Sequence, residues 1–119
     1  MFKNGMRPVH PGEVLREDYL KPLLLSVSAL AKALDVPTSR MNDIAHERRG
    51  ISADTALRLE RYFGSDAQSW LNLQTAYDLK VAHRTAAKSI ARVIVPMALA
   101  ARALHHRPTF RGNQNVQDV

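Results

Sequence analysis

Apolar residues recur along the chain at helical spacing, and no segment alternates apolar with polar as a half-buried strand would. Pro11, Gly12 and Glu13 read as the start of a first helix, with Glu13, Glu17 and Asp18 near the positive end of its dipole. That helix is expected to end near Lys21, because the residue before Pro22 is pushed out of the α region. Ser26 can cap a second helix, Val27 to about Leu34. Ser52 can cap a fourth, Ala53 to Phe63, whose Ala56, Leu59 and Phe63 share one face and which Gly64 stops. Ser65 and Gln68 form an S-x-x-Q capping box for a fifth helix with Trp70, Leu73 and Tyr77 on one stripe. The pattern predicts an all-α domain of five short helices.

The third helix lies in "LAKALDVPTSRMNDI", residues 30–44. Ala31 is small where a neighbouring helix must come close, and Leu30 with Leu34 makes an i, i+4 apolar pair. Asp35 falls in the turn, where a left-handed backbone is expected and Asp tolerates it at some cost. The next helix begins either with Pro37 at its first position or with Thr38 as its cap; Met41 and Ile44 then face inward. Ser39, Arg40, Asp43 and His46 are left outward, with Asn42 at the flank. A short polar helix propped steeply on its predecessor is what a helix-turn-helix inserts into the DNA major groove, although helical hairpins with short turns also occur in proteins that never touch DNA.

Composition adds limits. The 119 residues suit one compact domain with a modest core, at 45% hydrophobic and 24% charged residues. With no cysteine, disulfides and thiolate metal sites are excluded. No apolar signal region opens the chain, and the longest apolar run, residues 93–101, is far short of the ~20 residues a membrane span needs. A cytoplasmic protein is expected. The net charge of +6 is unevenly spread: residues 1–83 hold eleven Lys/Arg against ten Asp/Glu, and residues 84–119 hold six against one. Such a basic excess favours polyanions, nucleic acid among them.

The strings "HPGEVLREDYL", "LAKALDVPTSRMNDI", "RRGISADTALRLERYFG" and "WLNLQTAYDL", in that order over residues 7 to about 83, resemble the HigA (VapI-type) antitoxin family, a branch of the XRE-like helix-turn-helix proteins. The resemblance implies an XRE/lambda-repressor-like domain over residues 1–83, while residues 84–119 are read from their own charge and spacing as a basic helical extension with a disordered end. The resemblance also implies a homodimer that binds a HigB toxin, a RelE-like ribonuclease, and represses its own operon at an inverted repeat. Two positions depart from the family pattern: Asp35 stands where Gly is usual and Pro37 where Ser is common. The chain beyond Arg84 is not covered by that pattern.

Each polar residue of the third helix has a role suited to its chemistry. Ser39, Arg40 and Asn42 carry donors and acceptors for base edges, Arg40 for guanine and Asn42 for adenine. Thr38 and the helix N-terminus suit a phosphate, and Arg48 and Arg49 in the following loop can hold the backbone without reading sequence. Asp43, a carboxylate near phosphates, is better used bracing an Arg. The plain alternative for all seven is a solvated helix face. The resemblance favours contact for Arg40 and Ser39, and not for His46. The spacing of Trp70, Leu73 and Tyr77 reads as core or a helix–helix seam. The resemblance implies dimer contacts in this region, so Trp70, Leu73, Gln74 and Tyr77 are expected to form core plus dimer seam, with Gln74 and Asp78 hydrogen-bonding across it. The resemblance implies a toxin contact away from the third helix; the stretch from Val14 to Leu20 is one candidate.

Other chemistry finds no support in the sequence. There is no phosphate-cradling glycine loop, G-x-S-x-G, H-E-x-x-H or cysteine nucleophile, so no reaction class has a set of groups. The five histidines lack metal-ligand spacing beyond the adjacent His105 and His106, and neither metal nor cofactor is expected. Arg84, Lys88 and Arg92 recur every four residues and form a basic stripe, either a phosphate contact or a solvated face. Pro96 is expected to kink or divide this helix before about Leu104, with a disordered end beyond. Two other functions remain open from sequence: a stand-alone repressor with no toxin, and an interaction module that binds no DNA.

Overall fold

The computed structural model describes residues 7–97, and its regular elements are all helical. In chain order they are α1 (Pro11–Val14), a π-helical segment (Leu15–Leu20), α2 (Lys21–Leu23), α3 (Val27–Leu34), α4 (Thr38–Ala45), α5 (Ala53–Phe63) and α6 (Ala67–Val93).

The first three of these run on without a break, so the chain stays helical past Lys21, where Pro22 was expected to stop it. The π segment explains the difference. Its N–H groups reach back five residues, as Lys21 N–H does to the Arg16 carbonyl. This wider turn relieves the clash between a proline ring and the carbonyl four residues earlier that ends an α-helix. The run stops instead at Leu24, which is left-handed at φ 52°. At the other end, the His10 ring caps α1 by accepting the Gly12 N–H at 2.8 Å. Gly12 sits so close to α4 that a Cβ there would lie 1.8 Å from the Ile44 carbonyl oxygen. A side chain at this position would drive the two helices apart.

The α3–α4 pair forms as the sequence predicts. Ser26 caps α3 by accepting the Ala29 N–H at 3.0 Å. Asp35 ends it in the left-handed region at φ 58°, and the Asp35 and Val36 N–H groups close the turn on the Lys32 and Ala31 carbonyls. Ala31 is buried where the neighbours approach. The start of α4 differs from both expected alternatives: Pro37 occupies the cap position with an extended backbone, and Thr38 is the first helical residue. Proline has no side-chain acceptor, so no side chain caps α4.

Ser52 caps α5, and Gly64 ends it at φ 81°. The expected Ser65–Gln68 capping box is not formed. Asp66 takes the role, accepting the Ser69 N–H at 3.2 Å and the Ser69 hydroxyl at 3.1 Å. The Ser65 hydroxyl is engaged instead by the Trp70 indole N–H at 2.9 Å, and Gln68 pairs with Asn72.

Leu15, Leu30, Met41, Ile44 and Leu59 are fully buried, and Trp70 closes the cluster against Tyr19, whose ring also meets Phe63. Packing separates the chain into one unit that ends at Thr85 and another that begins at Ala86, while α6 itself is continuous to Val93. Arg84, Lys88 and Arg92 are exposed on α6. The helix stops three residues before Pro96, consistent with the extended backbone a proline imposes on the residue before it. The expected run to Leu104, the His105–His106 pair and the expected disordered end lie outside the described residues.

Candidate nucleic-acid interface

Helix α4 is fixed at both ends by arginines from other elements and along its inner face by the core. At its start, Arg58 of α5 donates to the carbonyls of Leu34 and Asp35, at 2.8 and 3.3 Å, and so clamps the turn that sets the angle of α4 on α3. At its end, Arg16 of the first helical run donates to the Ala45 carbonyl and pairs with Glu47 at 3.3 Å. Between them, Met41 and Ile44 are buried in the core and Gly12 lies against the Ile44 backbone. The helix is thereby anchored on the domain while its polar residues remain at the surface.

Thr38 and Ser39 are exposed in the first turn, beside backbone N–H groups that no side chain caps. An anion can be met there by both the N–H groups and the helix dipole. Asn42 and Asp43 are half-buried, and Arg48 and Arg49 are exposed in the loop that follows. Asp43 braces Arg48 as expected, accepting from its Nη2 at 3.0 Å and its Nε at 3.2 Å. His46 turns its ring back onto the Asn42 carbonyl at 2.8 Å.

Arg40, expected outward on this helix, is engaged by a neighbouring helix. It lies against α5, half-buried, and its Nη1 donates to Asp54 Oδ2 at 3.1 Å. The same carboxylate oxygen accepts from Arg58 Nε at 2.9 Å. The Arg58 hydrogen bond, with further help from Arg40, holds the Asp54 carboxyl below its ordinary pKa, so it stays ionised throughout the neutral range. Neither Asp54 nor Arg58 was singled out from the sequence. Their i, i+4 spacing was visible, but the link to Arg40 crosses fourteen residues and exists only in the fold.

The four residues expected at a dimer seam lie along the first half of α6. Trp70 is buried, with its N–H on Ser65, and Leu73 packs against the core. Gln74 bonds within the chain, accepting the Ile51 N–H at 2.8 Å and donating to Asp78 at 2.9 Å. Tyr77 is half-buried and meets the His10 ring edge-on at 4.8 Å.

No described helix is long and apolar enough to cross a membrane. Among the described residues, no group of three or more His, Asp or Glu side chains is arranged to hold a metal.

No protein-family profile matches the chain. It is, however, 62% identical over 100 residues to virulence-associated protein I of Dichelobacter nodosus, a match covering 84% of this chain and 91% of that one. Antitoxin HigA-1 of Vibrio cholerae is 33% identical over 79 residues, or 66% of this chain and 74% of its own. A solved structure, described as Pseudomonas aeruginosa antitoxin HigA with higBA promoter, superposes with a TM-score of 0.74 at 49% identity, covering 77% of this chain and 100% of that one. The chain belongs to the HigA antitoxin family. Within that family's helix-turn-helix, α3 and α4 are the paired helices and Asp35 lies in the turn between them. The HigA relatives and neighbours are antitoxins and helix-turn-helix regulators.

Proposed function

We propose that this chain is the antitoxin of a type II toxin-antitoxin system, and that as a dimer it represses its own operon by sequence-specific DNA binding through α4. The observation that carries the reading is the presentation of α4: an uncapped, polar first turn anchored from three sides in a HigA-family fold.

In this reading Thr38 and the α4 N-terminus hold one phosphate. Ser39, Arg40 and Asn42 reach base edges in the major groove. Arg49, and Arg48 braced by Asp43, grip the backbone beyond the helix and fix its register. The homodimer supplies two such helices to an operator inverted repeat. Leu73 and Tyr77, half-buried on α6, offer surface to a partner copy, with Trp70 and Gln74 supporting them from within. The protein partner is a HigB/RelE-like mRNA-cleaving toxin, neutralised by binding. The activity needs no catalytic group, metal or membrane, and its place is the cytoplasm, where operator and toxin are found.

Binding to a duplex from the chain's own upstream region, titrated against salt, tests the reading. Arg40→Ala is expected to weaken that binding by about 1–3 kcal/mol while leaving binding to a scrambled duplex nearly unchanged. Equal binding of the wild type to both duplexes would refute DNA-sequence readout. Co-expression with the product of an adjacent RelE-like gene, followed by co-purification, tests the toxin half separately.

A further inference from the structure

Arginine next to DNA has two competing fates. Its guanidinium can settle on the nearest phosphate, which carries no sequence information, or it can present its planar fork to a base. A long unrestrained side chain favours the first, because phosphates are more numerous and more strongly charged. Arg40 is restrained. Its Nη1 is held by Asp54 Oδ2 at 3.1 Å, which leaves Nε–H and Nη2 for a ligand. Asp54 is in turn held by Arg58, and Arg58 by the Leu34 and Asp35 carbonyls. The guanidinium is thus tied, through two side chains, to the same turn backbone that orients α4.

We propose that Asp54 is the positioning residue that sets the base preference of Arg40, an inference that rests on α4 being the DNA-reading helix. The Asp54 side chain is 57% exposed and the Arg40 side chain 30%, so the pair sits at the rim of the interface and not in the core. Two effects act in the same direction. The carboxylate fixes the fork, and its negative charge repels phosphates, which penalises any docking that pulls Arg40 onto the backbone. Asp54 contacts no base itself; it acts through Arg40. Arg49 and Ser52 line the same depression between α4 and α5, so a freed Arg40 would join a surface that already carries a phosphate-seeking cation.

The test compares wild type, Asp54→Asn, Arg40→Ala and the double variant on the upstream duplex and on a scrambled duplex of equal length, across a range of salt. Asp54→Asn is expected to lower the specific-to-scrambled affinity ratio at least about fivefold, mainly by tightening scrambled binding, a fraction of what one good bidentate contact supplies. It should also steepen the salt dependence on scrambled DNA by roughly one in log–log slope, as a released guanidinium finds a phosphate. In the Arg40→Ala background, the same substitution should move the ratio less than about twofold. Asp54→Ala, which removes the acceptor for Arg40 and leaves the Arg58 hydrogen bonds to the turn carbonyls in place, should shift the ratio in the same direction. It serves as the second variant should Asp54→Asn unfold on melting.

An unchanged ratio in both variants overturns the proposal, as does an effect of full size in the absence of Arg40. A wild type with no preference for the upstream duplex would instead overturn the DNA reading itself, so the two failures are distinguishable.

Discussion

His10 shows how much one side chain can control at a helix start. Its Nδ1 accepts the Gly12 N–H, so the cap requires a neutral ring, and the edge-on contact with Tyr77 keeps that ring buried. Burial pushes its pKa below the ordinary 6.5; Glu47 and Asp78 nearby pull upward, and Arg16 pushes down again. With the folded pKa depressed, the unfolded chain takes up a proton first as pH falls through 6.5. The stabilisation is therefore complete above pH 6.5 and declines below it, down to the folded pKa. Melting curves at pH 7.5 and 5.5 should show a lower Tm for the wild type at the acid value. His10→Asn, which keeps a capping acceptor and does not titrate, should flatten that change. The Glu13 carboxyl, hydrogen-bonded and ion-paired to Arg7, is held below its usual range and titrates at more acid pH, outside this window.

At the scale of elements, caps decide where helices begin, and here the sequence could be misread by one residue. Ser65 and Asp66 are both good cap residues, and the Ser-x-x-Gln spacing favours the first. The outcome turns on Trp70: once the indole is buried, its N–H needs an acceptor, and the Ser65 hydroxyl supplies it. Asp66 is left to cap α6. Asp66→Ala should cost about 1 kcal/mol in denaturant unfolding, and Asp66→Asn much less, since Asn caps nearly as well. The same logic explains what was legible. Helix type, the Asp35 turn and the inward Met41 and Ile44 follow from local pattern and were read from it. The π segment that carries the chain past Pro22 has no signature in residue spacing. The Asp54 link to Arg40 depends on two helices meeting, which no local pattern contains.

At the scale of the whole molecule, each copy presents a single α4 of eight residues, roughly 12 Å long, enough to read only a few base pairs. Selecting one operator among many near matches requires two such readings joined rigidly. The proposed dimer supplies this, and it makes DNA spacing a measurable consequence of protein symmetry. With half-sites about one helical turn apart, ~34 Å, both α4 helices meet the same face of the duplex. Inserting five base pairs between the half-sites turns the second one to the opposite face. Affinity for that duplex should then fall to the level of a duplex with one half-site, in a titration of protein on each of the three. If the spaced and native operators bound alike, the two copies would be reading DNA independently, and the rigid dimer would be excluded. Repeating the three titrations with a chain ending at residue 83 isolates the charge of residues 84–119, which hold six Lys/Arg against one Asp/Glu. Phosphate contacts from that segment would tighten all three duplexes together and steepen their salt dependence, without changing their ratio.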